Sequence, residues 1–371
     1  MRGKAGLTGS VKITIAGAGA MGCRFGAALF AAGHEVLLLD GWAEHVEAIN
    51  RAGLRVTDEA GTRALAVPAA LLPGADRPVA DRPVADQPVA DQPVADLPRA
   101  GSRVVGVLPV ASAVAHQPDL VIVFAKATGT AAVAAAAAGA IGPSTLVLTL
   151  QNGLGNVESL LAYVPADRLL AGTTTLGTEL LGPGHIRALG SGDTAFGPLP
   201  NPTGAGQPTT EGAERVLAAF SDAGISARLA PNALEVIWAK VAFNCVMNTL
   251  CSIASIPVAA LARYDGFDPL ASSILDEIAA VARAEGVTVD PAAALATMKA
   301  QFDPAASGSH LASMLQDLMN SRRTEIAHLN GAVAARAVRH GIAAPANALI
   351  AGLVGLLEAT WADRVNALRA D

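Results

Sequence analysis

The run Val11-Lys-Ile-Thr-Ile-Ala16-Gly17-Ala18-Gly19-Ala20-Met21-Gly22 decides the fold. Val11 to Ala16 is a short apolar run, Gly17 to Gly22 a glycine-rich turn, Phe25 to Ala32 a helix-like segment and Val36 to Leu39 a second apolar run. A GxGxxG pattern alone is a weak signal. Set between a strand and a helix, it has a physical use. The first glycine permits a tight turn, the second lets backbone amides approach a pyrophosphate, and the third lets helix and strand pack closely with the helix N-terminus facing the anion. Gly17, Gly19, Ala20, Met21 and Gly22 are therefore candidate cofactor contacts. About 20 residues on, at the end of the second run, stands Asp40. A carboxylate there can bond both ribose hydroxyls of NAD and repel the 2′-phosphate of NADP, although it is also an ordinary cap for a following helix. Lys126, in Val121-Ile-Val-Phe-Ala-Lys126, lies just past another run, at the strand edge where such sheets bind ligands. It can compensate phosphate charge or simply stand in solvent.

Further apolar runs at Leu120 to Phe124, Leu146 to Leu150 and Ile225 to Leu229 have helical stretches between several of them. That alternation predicts an α/β fold, a doubly wound, mostly parallel sheet with helices on both faces. Between Ala75 and Arg99 the sequence repeats a pentapeptide, ADRPV twice, ADQPV twice, then ADLPR. Proline every fifth residue forbids a helix interior and disfavours a central strand, so residues 75–99 read as an extended low-complexity insertion. Pro198 to Thr210 is a second linker-like stretch. From Asn232 to Leu368 the pattern is helical nearly throughout, with breaks near Pro257, Pro291, Pro304 and Pro345. The expected division is a dinucleotide-binding domain over 11–230 and an all-helical domain over 231–371.

Composition narrows the function. The 371 residues carry 26 Lys+Arg against 32 Asp+Glu, a net charge of -6, without a basic run. Such a chain is a poor partner for nucleic acid, whose phosphates demand clustered cations. The longest uncharged stretch, Ala127 to Val157, is interrupted by glycine, proline and amide residues, so no continuous apolar span of about 20 residues suggests a membrane. Met1 to Ser10 has no apolar core of a secretory signal. Cys23, Cys245 and Cys251 form no metal-ligand or CxxC pattern, and the seven His are scattered. The expectation is a cytoplasmic chain with structural thiols and no metal.

The segment Trp238-Ala-Lys240-Val-Ala-Phe-Asn244-Cys-Val-Met-Asn248 has three polar side chains at i, i+4 and i+8. At about 100° per residue each is offset from the last by about 40°, which makes one stripe on an otherwise apolar helix. A polar stripe costs stability unless it meets polar partners or a cleft, so it is either an interhelical hydrogen-bond seam with a snorkelling lysine or a site. A protonated lysine beside a nicotinamide can donate to a ketone oxygen as hydride reaches the carbon. Two other segments stand out. One is Gln151-Asn152-Gly-Leu-Gly155-Asn156 after a strand; the other runs from Ser313 through Asp317 to Glu325 and Asn330. On an unbroken helix Ser313 and Glu325 stand roughly 120° apart, so periodicity does not pair them.

Taken together, the glycine turn, FAKAT, TLQNGLGN, GTTTLG, the W-K-x3-N-x3-N helix, SMLQD, RRTEI and the HLNG to HGIAAP tail resemble the ketopantoate reductase (2-dehydropantoate 2-reductase) family, over nearly the whole chain except the leader and the insertion. The resemblance implies a Rossmann domain followed by a helical domain similar to that of 6-phosphogluconate dehydrogenase, and reduction of a small-molecule 2-oxo acid with NADPH in pantothenate biosynthesis. It implies Lys240 as the catalytic lysine and Glu325 as the glutamate that bonds the reacting oxygen. Asn152 falls near the nicotinamide, Asn244 and Asn248 against the substrate, and Ser313 on its carboxylate. There are departures. Asp40-Gly41 stands where the family usually has Arg for the 2′-phosphate, which favours NAD over NADP. Val258 and His310 replace asparagines that bind pantoate hydroxyls, which favours a more apolar 2-oxo acid, branched or aryl. A non-catalytic dinucleotide sensor is the rival from another class. The Ala- and Leu-rich C-terminal helices suit either a homodimer face or an internal core.

Overall fold

A computed structural model describes residues 9–72, 117–200, 210–302 and 311–363. The pentapeptide insertion, most of the Pro198 to Thr210 linker and His310 lie outside the described residues. The described chain groups into two compact units. A sheet unit holds the residues up to Gln151 and then Asn156–Val236; a helical unit holds Ile237 onward together with Asn152–Gly155.

The sheet unit runs β1 (Lys12–Ala16), α1 (Ala20–Ala31), β2 (Glu35–Asp40), α2 (Ala43–Ala52), β3 (Leu54–Asp58), β4 (Gly61–Leu65), β5 (Ala69–Leu71), β6 (Leu120–Val123), α3 (Thr130–Ala137), β7 (Leu146–Thr149), α4 (Asn156–Leu161), β8 (Leu169–Thr174), β9 (Gly177–Gly182), β10 (His185–Leu189), β11 (Thr194–Pro198), α5 (Thr210–Asp222) and β12 (Ala227–Leu229). Its main sheet has the order β12-β11-β8-β7-β6-β1-β2-β5. All neighbours are parallel except β8 and β11. The chain leaves β1 towards β2 on one side and later returns to β6 on the other, so the topological switch point lies between β1 and β6, where this class of sheet opens a crevice at its carboxyl edge. The first helix starts at Ala20, earlier than the helix-like run from Phe25, because the glycine turn feeds directly into it.

Burial on both faces explains the near-continuous apolar strands. Ile13, Ile15, Val36, Leu38, Ile122, Leu148 and Leu170 point into one core, while Leu37, Leu39, Val121, Val123, Val147 and Leu169 point into the other. The first core is closed by aromatic rings. Phe25 packs against Phe124 and Phe220 at centroid distances of 4.8 and 5.4 Å, and Phe220 against Phe196 at 5.5 Å.

A second, four-stranded sheet of order β4-β3-β10-β9 was not expected from the pattern of runs. Two local hairpins, β3 with β4 and β9 with β10, join through a parallel pairing of β3 with β10 across a long stretch of chain. Arg24 of α1 fastens it: Nη1 donates to the Leu189 and Gly177 carbonyls, and Nη2 donates to Gly190 O at 3.0 Å.

The helical unit continues with α6 (Ala233–Ala254), α7 (Phe267–Ala284), α8 (Pro291–Ala300), α9 (Ser313–Met319), α10 (Asn330–His340) and α11 (Pro345–Ala359). By length and composition α6 is apolar enough to cross a membrane, but most of it is buried within the protein. The helices have identifiable starts. Asp290 Oδ1 accepts from Ala292 N and Ala293 N ahead of Pro291, a side-chain cap for α8. The start of α11 is capped by another helix, since Glu277 of α7 accepts from Ala346 N and Asn347 N at 2.8 and 2.9 Å.

Phe25 is fully buried at the centre of the ring cluster. Phe25→Ala should cost about 3–5 kcal/mol of stability through lost burial and a residual cavity, read as a lowered denaturant midpoint of the transition that reports the sheet unit.

Candidate active site

The glycine turn lies at the switch point. Gly17 has φ +100°, and a Cβ there would stand 2.5 Å from Ala125 N, so only glycine fits between the ends of β1 and β6. The turn is closed from behind, because Gly17 N and Ala18 N both donate to Leu39 O, at 2.9 and 3.0 Å. Gly22 packs as tightly, a Cβ there falling 2.1 Å from Gly17 O, whereas a Cβ on Gly19 would meet nothing within 4 Å. Close packing behind and open space in front make a cradle. Gly19 caps α1 with no side-chain bond, and the first-turn amides of a helix, here Ala20 and Met21, have no intrahelical acceptor. A 12-residue helix adds its dipole to those amides. These residues fit the pyrophosphate of a dinucleotide.

Asp40 is 8% exposed and its Oδ1 accepts from Trp42 N at 2.9 Å. It thus orders the entry to α2, as an aspartate at a helix start does. His45 is turned inward: it is fully buried, stacked on Trp42, with Nε2 3.4 Å from Cys23 Sγ and Nδ1 accepting from Gly184 N at 3.0 Å. Lys126 follows β6 directly. The carbonyl before it is held by Gln151, whose Nε2 donates to Ala125 O at 2.6 Å and to Thr130 Oγ1 at 2.7 Å.

The other candidates gather in the helical unit. Lys240, Asn244 and Asn248 are one stripe of α6. Lys240 is half-buried with Nζ 5.4 Å from the Phe243 ring centroid, and burial pushes its ammonium below the ordinary lysine value. Asn244 is buried at 3% exposure, and Asn248 Nδ2 donates to Ser313 Oγ at 3.2 Å. The segment between Ser313 and Glu325 is not one helix. Helix α9 stops at Met319, Ser321 takes φ +50°, and Glu325 opens a short 3-10 turn, Ile326–His328. That break explains why helical register fails to relate Ser313 to Glu325.

The Glu325 turn is held at three points. Ahead of it, Glu358 of α11 accepts from Thr324 N at 2.6 Å and from Thr324 Oγ1 at 2.5 Å. Behind it, Asn330 Nδ2 donates to Cys245 O of α6 at 3.1 Å. Beside it, Asn152 Nδ2 donates to Glu325 Oε2 at 3.3 Å. Glu358, Asn330, Gln151 and His328 were missed as supporting residues; Gln151 lies in TLQNGLGN, and His328 and Asn330 in HLNG, whereas Glu358 lies outside the quoted motifs. All three cysteines are buried, and burial pushes the Cys245 thiol up and the Cys251 thiol up to about 12. Neither is a nucleophile. Among the described residues no group of three or more His, Cys, Asp or Glu could hold a metal.

A doubly wound sheet with a pyrophosphate cradle, joined to a helical unit rich in polar side chains, is the architecture of a dinucleotide-dependent oxidoreductase. Residues 13–201 match the family described as Ketopantoate reductase PanE/ApbA, and residues 232–358 match Ketopantoate reductase PanE/ApbA C terminal. The chain belongs to the ketopantoate reductase family, whose members are reductases of 2-oxo acids. It is 32% identical over 338 residues to a 2-dehydropantoate 2-reductase of Lactococcus lactis subsp. lactis, covering 90% of this chain and 94% of the relative. It is 31% identical to a 2-dehydropantoate 2-reductase of Halobacterium salinarum, over 94% of this chain and 99% of that one. Among solved structures, the ternary structure of D-mandelate dehydrogenase with NADH and anilino(oxo)acetate superposes with TM-score 0.78 and 30% identity, covering 95% of this chain and 99% of that one. A PanE/ApbA family ketopantoate reductase from Ralstonia eutropha superposes with TM-score 0.73 and 30% identity, over 95% and 99% of the chains.

Gly17→Ala places a methyl group against the β6 backbone at a strained φ. It should weaken reduced-dinucleotide binding by about tenfold or more, the strain being roughly 1–3 kcal/mol, in a fluorescence titration, with the helical content retained by circular dichroism.

Proposed function

We propose that this chain reduces the ketone of a 2-oxo acid branched beside the carbonyl, of the ketopantoate kind, with NADH as reductant and Lys240 as general acid. The observation that carries the proposal is the gathering of Lys240, Asn244, Asn248, Ser313, Glu325 and Asn152 in one helical unit, with direct bonds between Asn248 and Ser313 and between Asn152 and Glu325. Such a concentration of polar groups on an apolar scaffold has a cost that a bound substrate explains.

When bound, the reduced nicotinamide supplies the hydride that the carbonyl carbon receives. Lys240 Nζ holds the proton and passes it to the ketone oxygen as negative charge develops there. Burial lowers its pKa, which makes the ammonium a stronger acid for that transfer. Glu325 orients the reacting oxygen, and the Asn152 amide steadies the carboxylate. Ser313 Oγ accepts from Asn248 and keeps its own hydrogen to donate, and as an exposed hydroxyl it is suited to a substrate carboxylate. Asn244, next along the stripe, bonds the substrate beside it. The glycine turn with Ala20 and Met21 holds the pyrophosphate, and Lys126 adds positive charge near it.

NADH rather than NADPH is supported by charge. From Asp40 to Asn50 the chain carries Asp40, Glu44 and Glu47 and no lysine or arginine. Asp40, one oxygen of which is held by Trp42 N, presents its carboxylate to a ribose diol, and His45 faces inward. A 2′-phosphate would meet the negative charge of that stretch.

A second reading, an aryl 2-oxo acid as substrate, is supported by Val258, buried and apolar on the turn after Pro257, and by the D-mandelate dehydrogenase likeness. Steady-state rates with ketopantoate, 2-oxoisovalerate and phenylglyoxylate, each with both cofactors, separate the two readings. A dinucleotide sensor binds NADH but consumes none with any of the three, and that outcome would end the proposal. Asp40→Ala should lower kcat/KM with NADH by about 10–100-fold, the worth of a charge-assisted hydrogen bond, and narrow the gap to NADPH.

Lys240→Ala should lower turnover by about 10²–10⁴-fold with NADH still bound. Because only the ammonium donates, reduction by the parent protein should fall as pH rises through the Lys240 pKa, and the fall should come below the ordinary lysine value of 10.5. A pH profile of kcat/KM that stays level to that value contradicts the assignment.

A further inference from the structure

We infer that His328 is a positioning residue for this chemistry: it clamps the Asn152–Gly155 loop onto the Glu325 turn, so that the Asn152 amide and the Glu325 carboxylate are held as one body. The inference rests on the roles given above to Glu325 and Asn152. His328 and Leu154 bond reciprocally. Leu154 N donates to His328 O at 2.8 Å, and His328 Nδ1 lies 3.1 Å from Leu154 O, a contact in which the ring nitrogen must be the donor because a carbonyl only accepts. Two glycines make the approach feasible. Gly153 has φ +85° and a Cβ there would stand 2.6 Å from His328 O; Gly155 has φ +98° and passes 3.7 Å from His328 Nδ1 by the same measure. Neither backbone conformation nor clearance would suit a larger residue at Gly153.

The clamp matters because the bond it supports is weak by itself. Asn152 Nδ2 to Glu325 Oε2 is 3.3 Å, beyond the usual N–H···O range, between two half-buried side chains. The ends of the loop are anchored elsewhere: Thr130 Oγ1 accepts from Gln151 Nε2 at 2.7 Å and donates to Asn156 Oδ1 at 2.8 Å. Those anchors lie at the ends of the loop, and the two bonds with His328 hold its tip. A tip displaced by about 1 Å would carry Asn152 off Glu325, and displacements of that size cost roughly 10²-fold in rate. Substrate affinity should respond less, since the carboxylate contact at Ser313 lies on a different element.

The test compares His328→Leu, which keeps bulk without a donor, with His328→Asn, whose amide can take the place of Nδ1–H. His328→Leu should lower kcat by about 10–100-fold with KM for the 2-oxo acid nearly unchanged and a larger isotope effect from 4-deuterated NADH. His328→Asn should recover most of the rate, and Gly153→Ala, whose methyl would meet His328 O and push the loop off it, should reproduce the kcat loss. Parent-like turnover in His328→Leu, a loss confined to KM, or an Asn variant no better than Leu would each overturn the inference. Glu325→Gln is the control that keeps the two proposals apart. If it too turns over like the parent, the role of Glu325 fails; if it is inactive while His328→Leu is not, only the clamp fails.

Discussion

The buried amide of Asn330 is the joint on which the helical unit is built. Its Nδ2 donates to Cys245 O on α6 and to Asn347 Oδ1 on α11, at 3.1 and 3.0 Å. Asn347 in turn donates to Ile274 O and Glu277 Oε2 of α7, and Glu277 caps the start of α11. A polar group at 0% exposure is costly unless bonded; the two bonds of Nδ2 offset that cost on the donor side, while Asn330 Oδ1 is buried without a hydrogen-bond partner. Through this joint the backbone five residues after Glu325 is tied to the helix that carries Lys240. The two stretches of backbone are thus held together by a buried hydrogen bond.

Helix α6 shows how the two demands of such a site are met together. Its apolar residues, among them Val241, Ala242, Cys245, Val246 and Met247, are buried and anchor it on nearly all sides. Along the stripe of Lys240, Asn244 and Asn248 the environment is graded, from half-buried Lys240 through buried Asn244 to Asn248 at the Ser313 hydroxyl. The burial that rigidifies the helix is also what depresses the Lys240 ammonium. Stability and acidity thus have one cause.

The sheet unit applies the same economy to an anion. Its strands are apolar on both faces, and what the glycine turn offers an anion is backbone amides, a helix dipole and the space left by glycine. Specificity then depends on the few side chains at the carboxyl edge. The stretch from Asp40 to Asn50 is acidic, carrying Asp40, Glu44 and Glu47, and its histidine is stacked on Trp42.

Local and periodic signals made much of this legible from the chain alone. Strand, glycine turn, helix and strand followed each other over Val11 to Leu39, apolar runs without alternation announced a sheet buried on both faces, and the i, i+4, i+8 spacing put Lys240, Asn244 and Asn248 on one stripe. These are properties of a few adjacent turns of backbone, and neighbouring residues suffice to specify them. The second sheet was decided elsewhere, by β3 pairing with β10 far along the chain and by Arg24 reaching the Gly177, Leu189 and Gly190 carbonyls. So was the turn that carries Glu325, because a break at Ser321 removes the helical register from which its direction would be read. The grouping of Asn152–Gly155 with the helical unit likewise depends on His328, a residue far away in sequence. Periodicity states which face of an element is polar or apolar; which partner that face meets is a matter of non-local packing and buried hydrogen bonds, and these exist only once the chain has folded.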